Sequence, residues 1–135
     1  MNKRILFVED DMLVGQMYAR ALENQGYKVD LQPTSEAAQK RLKEEKYDLI
    51  LLDLLLPGRP GLEFLRELKA EGSPYKHLPV YILTNVDGTE SIANGVALGI
   101  QGYFLKISTT PQKIIDTLNQ FFRNQEEVLR TGHGI

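Results

Sequence analysis

The sequence contains no cysteine, no excess of basic residues and no long apolar run. Without cysteine, disulfide bonds and thiolate metal sites are excluded, and cysteine usage is uninformative about the redox compartment. The 16 Lys and Arg residues are balanced by 18 Asp and Glu residues, so the net charge of -2 gives no electrostatic basis for nucleic-acid binding. No apolar run approaches the roughly 20 residues of a membrane span, and the N-terminal run is too short for a signal peptide. We therefore expect a cytoplasmic protein that binds neither nucleic acid nor a membrane directly.

The 135 residues do contain a regular alternation of short apolar runs and longer amphipathic stretches. Apolar runs at 4–8, 49–52, 80–83 and 103–105 are each bounded by turn or charged residues. These runs lack period-2 alternation, which predicts strands covered on both faces, whereas residues 27–32 alternate and predict a half-exposed edge strand. We therefore predict one α/β domain, a doubly wound five-stranded parallel sheet with five flanking helices.

Five amphipathic stretches are predicted to form these helices. Start and stop signals place them at about 13–26, 35–46, 62–71, 89–98 and from Pro111 onward. The fourth is predicted to be the weakest, because Asn94 and Gly95 lie in its middle and glycine costs about 1 kcal/mol relative to alanine. That helix is therefore expected to shift most easily.

Polar and charged side chains follow four of the five predicted strands. The ends of the first, third, fourth and fifth strands carry, in that order, Glu9-Asp10-Asp11, Asp53, Thr84 and Lys106. Taken separately, each has an ordinary explanation, such as a helix cap for the acidic triplet or a turn for Asp53. Because active groups of doubly wound sheets gather at the carboxyl ends of the strands, we expect these side chains to converge on one small area.

The charges in this set indicate a particular chemistry. Two carboxylates about 4 Å apart repel by roughly 4 kcal/mol at an effective dielectric near 20, so Asp10 and Asp53 require a compensating cation. Oxygen ligands without His or Cys favour Mg²⁺, which would shield an incoming phosphoryl group from the carboxylates. An Asp53 oxygen could then attack phosphorus in line, with Lys106 and Thr84 binding phosphoryl oxygens. The residues thus predict aspartyl phosphate formation with Mg²⁺ as cofactor.

Over about residues 3–123 the sequence resembles the receiver domain of two-component response regulators, similar to the chemotaxis regulator of the same fold. The matching motifs are residues 5–11, residues 48–53 followed by Pro57 and Gly61, residues 83–84 and residues 102–106. The resemblance implies a flavodoxin-like sheet with strand order 2-1-3-4-5. It also implies roles by position: Asp53 as phosphoacceptor, Glu9, Asp10, Asp53 and the backbone carbonyl of Leu55 as metal ligands, Lys106 as phosphate contact, and Thr84 with Tyr103 as switch residues.

The resemblance further implies partners and a division of the chain. A sensor histidine kinase or a phosphotransfer protein would supply the phosphoryl group, and the output would be a downstream protein or a fused effector domain, with a homodimer as a further option. No enzymatic activity is implied beyond the domain's own phosphorylation and autodephosphorylation. We assign residues 1–126 to the receiver and 127–135 to an extension of the last helix and a tail. Val128 and Leu129 continue the apolar heptads of that helix and predict a contact with a partner, a second copy or a further domain.

Several residues depart from the family pattern, among them those that follow or flank the predicted site residues. Ile107 follows Lys106 where the family commonly has a proline in a cis peptide. Because a non-proline cis bond costs about 2.5 to 4 kcal/mol, we expect a trans bond and a different path for the following loop. Leu55 and Val86, two residues after Asp53 and Thr84, are apolar where polar side chains can guide a hydrolytic water. We therefore predict slow hydrolysis of the aspartyl phosphate.

Two functions from other classes remain open at this stage. A pseudo-receiver that is never phosphorylated would act as a protein-binding scaffold. A phosphatase of the haloacid dehalogenase type also uses a strand-end Asp, but it needs a second Asp two residues later, where Leu55 stands. Metal-dependent uptake of beryllofluoride would separate a working receiver from the scaffold.

Overall fold

The computed structural model describes residues 2–85 and 89–131, and within them five parallel strands form one sheet of order β2-β1-β3-β4-β5. The strands are β1 (Arg4–Val8), β2 (Lys28–Gln32), β3 (Leu49–Leu52), β4 (Val80–Thr84) and β5 (Gly102–Leu105). They alternate with the helices α1 (Met12–Glu23), α2 (Ser35–Glu44), α3 (Gly61–Lys69), α4 (Thr89–Ala97) and α5 (Pro111–Thr131). The predicted doubly wound sheet, its strand order and its five helices are therefore confirmed.

The register of the sheet aligns the carboxyl ends of the strands. On β1, Val8 lies opposite both Gln32 of β2 and Leu52 of β3. The amide of Asp53 donates to the carbonyl of Val8 at 3.0 Å, which continues the ladder one residue past the strands. Glu9 and Asp53 therefore leave neighbouring strands at the same level.

The central strands are covered on both faces, as their uninterrupted apolar runs predict. Alternate residues of β1 and β3 enter two separate core clusters, because successive side chains of a strand point to opposite faces. One cluster packs against α1 and α5, and the other against α2 and α3. By contrast, no residue of β2 is fully buried, which confirms it as the half-exposed edge strand. The prediction that the run at 103–105 is covered on both faces is wrong, because β5 is the other edge strand of the sheet and none of its residues is fully buried.

Helix boundaries differ from the predicted ones by one or two residues at several ends. The second helix ends at Glu44, where Glu45 has already turned to an extended conformation, rather than near Lys46. The third begins at Gly61 and ends at Lys69, before the predicted Glu71. Frayed helix ends are set by local capping geometry, which apolar periodicity does not report.

Gly95 lies at the contact between α4 and β4. A Cβ atom there would approach the Cδ1 atom of Ile82 to 2.9 Å, so glycine allows the helix to pack closely on the sheet. The residue that lowers the intrinsic helix propensity of α4 is thus also a packing residue.

The last helix is much longer than its buried part. Its 21 residues bury Ile114, Ile115, Leu118 and Phe122 against the sheet. Further along, the side chains of Val128 and Leu129 are 40% and 78% exposed. Among the described helices, none has the length and apolar character required to cross a bilayer.

Candidate functional site

Three acidic side chains meet at the carboxyl edge of the sheet, where β1 and β3 end. One carboxylate oxygen from each of Glu9, Asp10 and Asp53 lies within 4.8 Å of the other two. Glu9 and Asp53 are only 1% and 4% exposed, whereas Asp10 faces solvent. Because Glu9 and Asp53 are buried and Asp10 is exposed, solvent and ions can reach the acidic group from the side of Asp10.

Asp53 has hydrogen-bond donors on both of its oxygens. Its Oδ1 atom accepts from the backbone amide of Leu55 at 3.0 Å and from the hydroxyl of Thr84 at 2.8 Å. Its Oδ2 atom accepts from Lys106 Nζ at 2.9 Å. The bond from Leu55 is the one that a turn-starting Asp makes, so the turn explanation and the site explanation both apply to this residue. Three donors thus satisfy the Asp53 carboxylate, which lies within an otherwise apolar stretch of the chain.

Lys106 bridges two of the acids. Besides Asp53, its Nζ atom pairs with Oε1 of Glu9, and the lysine side chain is largely buried. Burial by itself would lower the pKa of Lys106, but the hydrogen bonds and charges of Glu9 and Asp53 outweigh it and raise that pKa. The lysine is therefore held in its charged form.

The surroundings of Glu9 disfavour its charged form, in contrast to those of Lys106. Burial raises the pKa of Glu9 above its usual value, and the negative charge of Asp53 adds to that shift, although Lys106 and the amide of Asp11 act against it. With Asp10 included, three carboxylates face one ammonium group, so the site has a formal charge of -2. A divalent cation would neutralise that charge.

Asp11 has a role apart from the other acids of its triplet. Its Oδ1 atom accepts from the amides of Leu13 and Val14 at 3.1 and 3.2 Å and thereby caps α1. The helix-cap explanation is thus correct for Asp11, whereas Glu9 and Asp10 join the acidic group. Sequence spacing alone does not separate these three side chains.

The loop after Lys106 begins with Ile107, and no cis peptide bond occurs among the described residues. The expected trans bond is therefore confirmed. The amide of Lys106 donates to the carbonyl of Thr84 at 2.9 Å, and the amide of Ser108 donates to the carbonyl of Leu105 at 3.0 Å, which makes a tight turn. With this turn the lysine side chain reaches both acids without the family's proline.

Two further residues with predicted roles are only partly enclosed. Tyr103 on β5 is 48% exposed, and the side chain of Leu55 is 60% exposed beside the site. Thr84, in contrast, is completely buried at the end of β4. Val86 lies outside the described residues.

The receiver resemblance includes Gly61, and the structure shows why this position carries no side chain. A Cβ atom at Gly61 would lie 2.2 Å from the carbonyl oxygen of Asp53 and 2.7 Å from Cα of Leu54. Glycine therefore allows the chain to fold back directly over the peptide that carries Asp53. The only sequence signal was the glycine itself.

The sheet order and the flanking helices are those of a receiver domain. Residues 5–119 match the response regulator receiver domain family, and the chain belongs to this family. Receiver domains of two-component systems are signalling domains rather than enzymes.

Among curated proteins, the chain is 32% identical over 127 residues to the transcriptional regulatory protein RstA of Escherichia coli, a match that covers 94% of this chain and 51% of that protein. It is 37% identical over 103 residues to the two-component response regulator PhoP of Pseudomonas aeruginosa, covering 76% of this chain and 44% of that protein. The chain thus spans about half the length of these relatives.

Solved structures show the same fold. A CheY-like receiver domain from Methanospirillum hungatei aligns with a TM-score of 0.84 at 24% identity, over 94% of this chain and 98% of that one. The beryllium fluoride-activated receiver domain of RstA from Klebsiella pneumoniae aligns with a TM-score of 0.76 at 32% identity, over 87% of this chain and 96% of that one.

Proposed function

We propose that the chain is a phosphorylation-controlled switch in which Asp53 accepts a phosphoryl group from a histidine kinase or a phosphotransfer protein. The observation that carries this proposal is the arrangement around Asp53: two neighbouring carboxylates, a lysine at 2.9 Å and a hydroxyl at 2.8 Å. We infer that the exchange takes place in the cytoplasm, in keeping with the receiver family to which the chain belongs.

The acidic group fits Mg²⁺. Its three carboxylate oxygens lie within 4.8 Å of one another, all donor atoms are oxygen, and the formal charge is -2. We assign Glu9, Asp10, Asp53 and the backbone carbonyl of Leu55 as the groups that would hold the ion. When bound, Mg²⁺ would neutralise charge on the acids and on the phosphoryl oxygens.

The covalent step belongs to Asp53. One of its oxygens attacks the phosphorus of a phosphohistidine, the P–N bond breaks, and the donor imidazole keeps the electron pair and takes up a proton. Thr84 and Lys106 hold the two oxygens of Asp53 in the unmodified protein. In the aspartyl phosphate they would bind phosphoryl oxygens instead, which gives the new state two charge-assisted contacts.

We propose that these two contacts drive the switch. Thr84 ends β4 and α4 begins at Thr89, so movement of the Thr84 hydroxyl toward the phosphoryl group would be transmitted along the chain to α4. Tyr103 is half-exposed on the neighbouring strand β5. It lies opposite Ile82 of β4, two residues before Thr84. Rotation of the Tyr103 ring into the space that Thr84 leaves would pass the change to the α4 and β5 face.

We also propose that the end of α5 contacts the partner that receives the signal. We assign residues 1–126 to the receiver and 127–135 to an extension, with Val128 and Leu129 contacting a downstream protein, a fused effector domain or a second copy. Their exposure on the last turns of α5 supports this assignment. Sedimentation with and without beryllofluoride tests the dimer version, which a strict monomer in both states would contradict.

Phosphorylation is tested by intact-mass spectrometry after incubation with acetyl phosphate and Mg²⁺. We expect one phosphoryl adduct on the unmodified protein and none on Asp53→Asn. Asp116→Asn, on the exposed face of α5, is the matched control and should carry the adduct. A protein that takes up neither phosphoryl groups nor beryllofluoride would instead be the scaffold-type pseudo-receiver.

A further inference from the structure

The loop between β3 and α3 carries part of the proposed site on its backbone. Leu55 lies in this loop, its amide donates to Asp53 at 3.0 Å, and its carbonyl is a proposed metal ligand. Its own side chain is mostly exposed and provides no anchor. The position of this backbone segment therefore depends on the residues on either side of it.

On one side the anchor is apolar. The side chains of Leu54 and Leu56 are buried in the core cluster that packs against α2 and α3. On the other side, Gly58 has a left-handed φ of 72°, and the chain turns sharply before α3 begins at Gly61. A second anchor is needed to hold that turn, because glycine gives the backbone more freedom than any other residue.

Arg59 supplies contacts to both neighbouring helices. Its Nη1 atom donates to Oε1 of Gln39 on α2 at 2.9 Å, and its Nη2 atom pairs with Glu67 on α3. The guanidinium carbon lies 5.5 Å from the ring centre of Phe64. The backbone carbonyl of Arg59 also accepts from the hydroxyl of Ser35 at 3.1 Å.

We propose that Arg59 is a positioning residue that clamps the β3–α3 loop between α2 and α3 and so pre-orients the backbone of Leu55 toward Asp53 and the metal. This inference rests on the proposed function, since it assigns Arg59 a role in the metal affinity of that site. Within the part of the chain that the structure describes, the Arg59 side chain makes its hydrogen bond and ion pair with Gln39 and Glu67 and none with the three acids, Thr84 or Lys106.

The energetics of the guanidinium support a role in geometry rather than in overall stability. The side chain is only 16% exposed, and neither its Nε nor its Nη2 atom makes a hydrogen bond among the described residues, so the contact of Nη2 with Glu67 is an ion pair alone. Glu67, the ion-pair partner of Arg59, has a side chain that is 55% exposed, so its carboxylate stays hydrated when the guanidinium is removed, and exposed ion pairs contribute little to stability. Arg59→Met, which keeps a flexible side chain against Phe64, should therefore fold normally while the loop loses its polar anchors.

The test compares Arg59→Met with Arg66→Met. Arg66 is exposed on the same α3 helix and makes no hydrogen bond or ion pair with any residue in 2–85 or 89–131, so the second variant matches the loss of charge. Mn²⁺ binding, followed by electron paramagnetic resonance as a probe for Mg²⁺, should weaken about tenfold in Arg59→Met, the lower range for residues that orient metal ligands. Arg66→Met should bind as the unmodified protein does.

Amide hydrogen exchange provides a readout that does not need the metal. The Leu55 amide should exchange faster in Arg59→Met than in Arg66→Met, with the same unfolding midpoint in urea for both. Arg59→Lys, which keeps the charge but cannot contact Gln39 and Glu67 together, should be intermediate in both measurements.

The outcomes separate the two proposals. Failure of the unmodified protein to bind Mn²⁺ contradicts the proposed function. The hydrogen exchange rate of the Leu55 amide would then still test whether Arg59 holds the β3–α3 loop. Equal protection of the Leu55 amide in Arg59→Met and Arg66→Met overturns the clamp, as does unchanged Mn²⁺ affinity in a protein whose unmodified form binds the ion.

Discussion

The hydroxyl of Thr84 donates to Oδ1 of Asp53 at 2.8 Å, although 31 positions separate the two residues in the chain. Both side chains are buried, so the bond forms away from water at the ends of the adjacent strands β3 and β4. A hydrogen bond to a charged group is worth about 1.5 to 3 kcal/mol, more than one between neutral groups. In the unmodified protein the Thr84 hydroxyl is thus already bound to the Asp53 carboxylate. In the proposed aspartyl phosphate it would donate to a phosphoryl oxygen instead.

Replacement of Thr84 by Val removes this hydroxyl and keeps the branched shape of the side chain. We expect beryllofluoride to bind Thr84→Val about tenfold more weakly, since one donor to the bound anion is lost. Thr84→Ser, which keeps the hydroxyl, serves as the control and should bind nearly normally. Titration followed by nuclear magnetic resonance measures both, and equal affinities would contradict the assigned role of the hydroxyl.

Replacement of Lys106 by Met leaves the acids without their internal cation. Because breaking a buried ion pair typically costs about 3 to 5 kcal/mol, the free energy of unfolding in EDTA should fall by about 3 kcal/mol. Added Mg²⁺ should restore more stability to Lys106→Met than it adds to the unmodified protein, since the variant site is more negative. Urea unfolding in EDTA and in Mg²⁺ gives the four values, and Lys113→Met on the exposed face of α5 is the control.

Replacement of Gly61 by Ala introduces a Cβ atom 2.2 Å from the carbonyl oxygen of Asp53. We expect a loss of about 2 kcal/mol in unfolding free energy or more, together with slower phosphorylation, because the Asp53 peptide must move. Gly72→Ala is the control. The φ of 84° at Gly72 makes alanine unfavourable by about 1 to 2 kcal/mol, but an added Cβ atom there would have no non-neighbouring described atom within 4 Å. Only the Gly61 variant should lose phosphoryl uptake from acetyl phosphate at saturating Mg²⁺.

A polar cluster at the sheet edge predicts a pH dependence of stability. Burial by itself would raise the pKa of Asp30, but hydrogen bonds from Tyr47, Arg41 and Gln32 outweigh it and lower that pKa. A carboxylate with a lowered folded pKa stabilises the protein fully above its unfolded pKa of about 3.9, and this contribution is lost as the pH falls through the folded value.

Asp30→Asn should therefore be less stable than the unmodified protein at pH 7, and the difference should shrink in acid. Urea unfolding at pH 7, at pH 5 and below pH 4 measures it. Asp116→Asn removes an exposed carboxylate and is the control for the change in net charge. A difference between Asp30→Asn and the unmodified protein that stays constant down to the lowest pH would rule out the lowered pKa.

Leu55 is predicted to slow hydrolysis of the aspartyl phosphate, because its exposed apolar side chain lies beside Asp53 and cannot orient a water molecule. Leu55→Asn adds a polar group at this place and should shorten the lifetime of the phosphorylated form several-fold. Decay of the adduct by mass spectrometry after removal of acetyl phosphate measures the lifetime. Leu55→Met is the apolar control, and equal decay in the two variants would contradict the explanation.

Much of the fold could be predicted from local patterns. Uninterrupted apolar runs identify β1, β3 and β4 as strands covered on both faces, and the alternation in β2 identifies an edge, because side chains in a strand alternate between the two faces. The short polar insertions at strand ends likewise located Asp53, Thr84 and Lys106 correctly at one edge of the sheet. Helix ends were less well predicted, since caps depend on single hydrogen bonds.

The sequence by itself determined which residue types stand at the strand ends, because strand length and burial follow from apolar patterning. Only the tertiary structure decided what each of them contacts: Lys106 pairs with Glu9 and Asp53, which lie 97 and 53 positions away, while Asp11 turns to cap α1. It also decided that Gly61 must lack a side chain and that Arg59 bridges two helices. These contacts depend on strand register and on loop paths, which bring together residues that no local pattern relates.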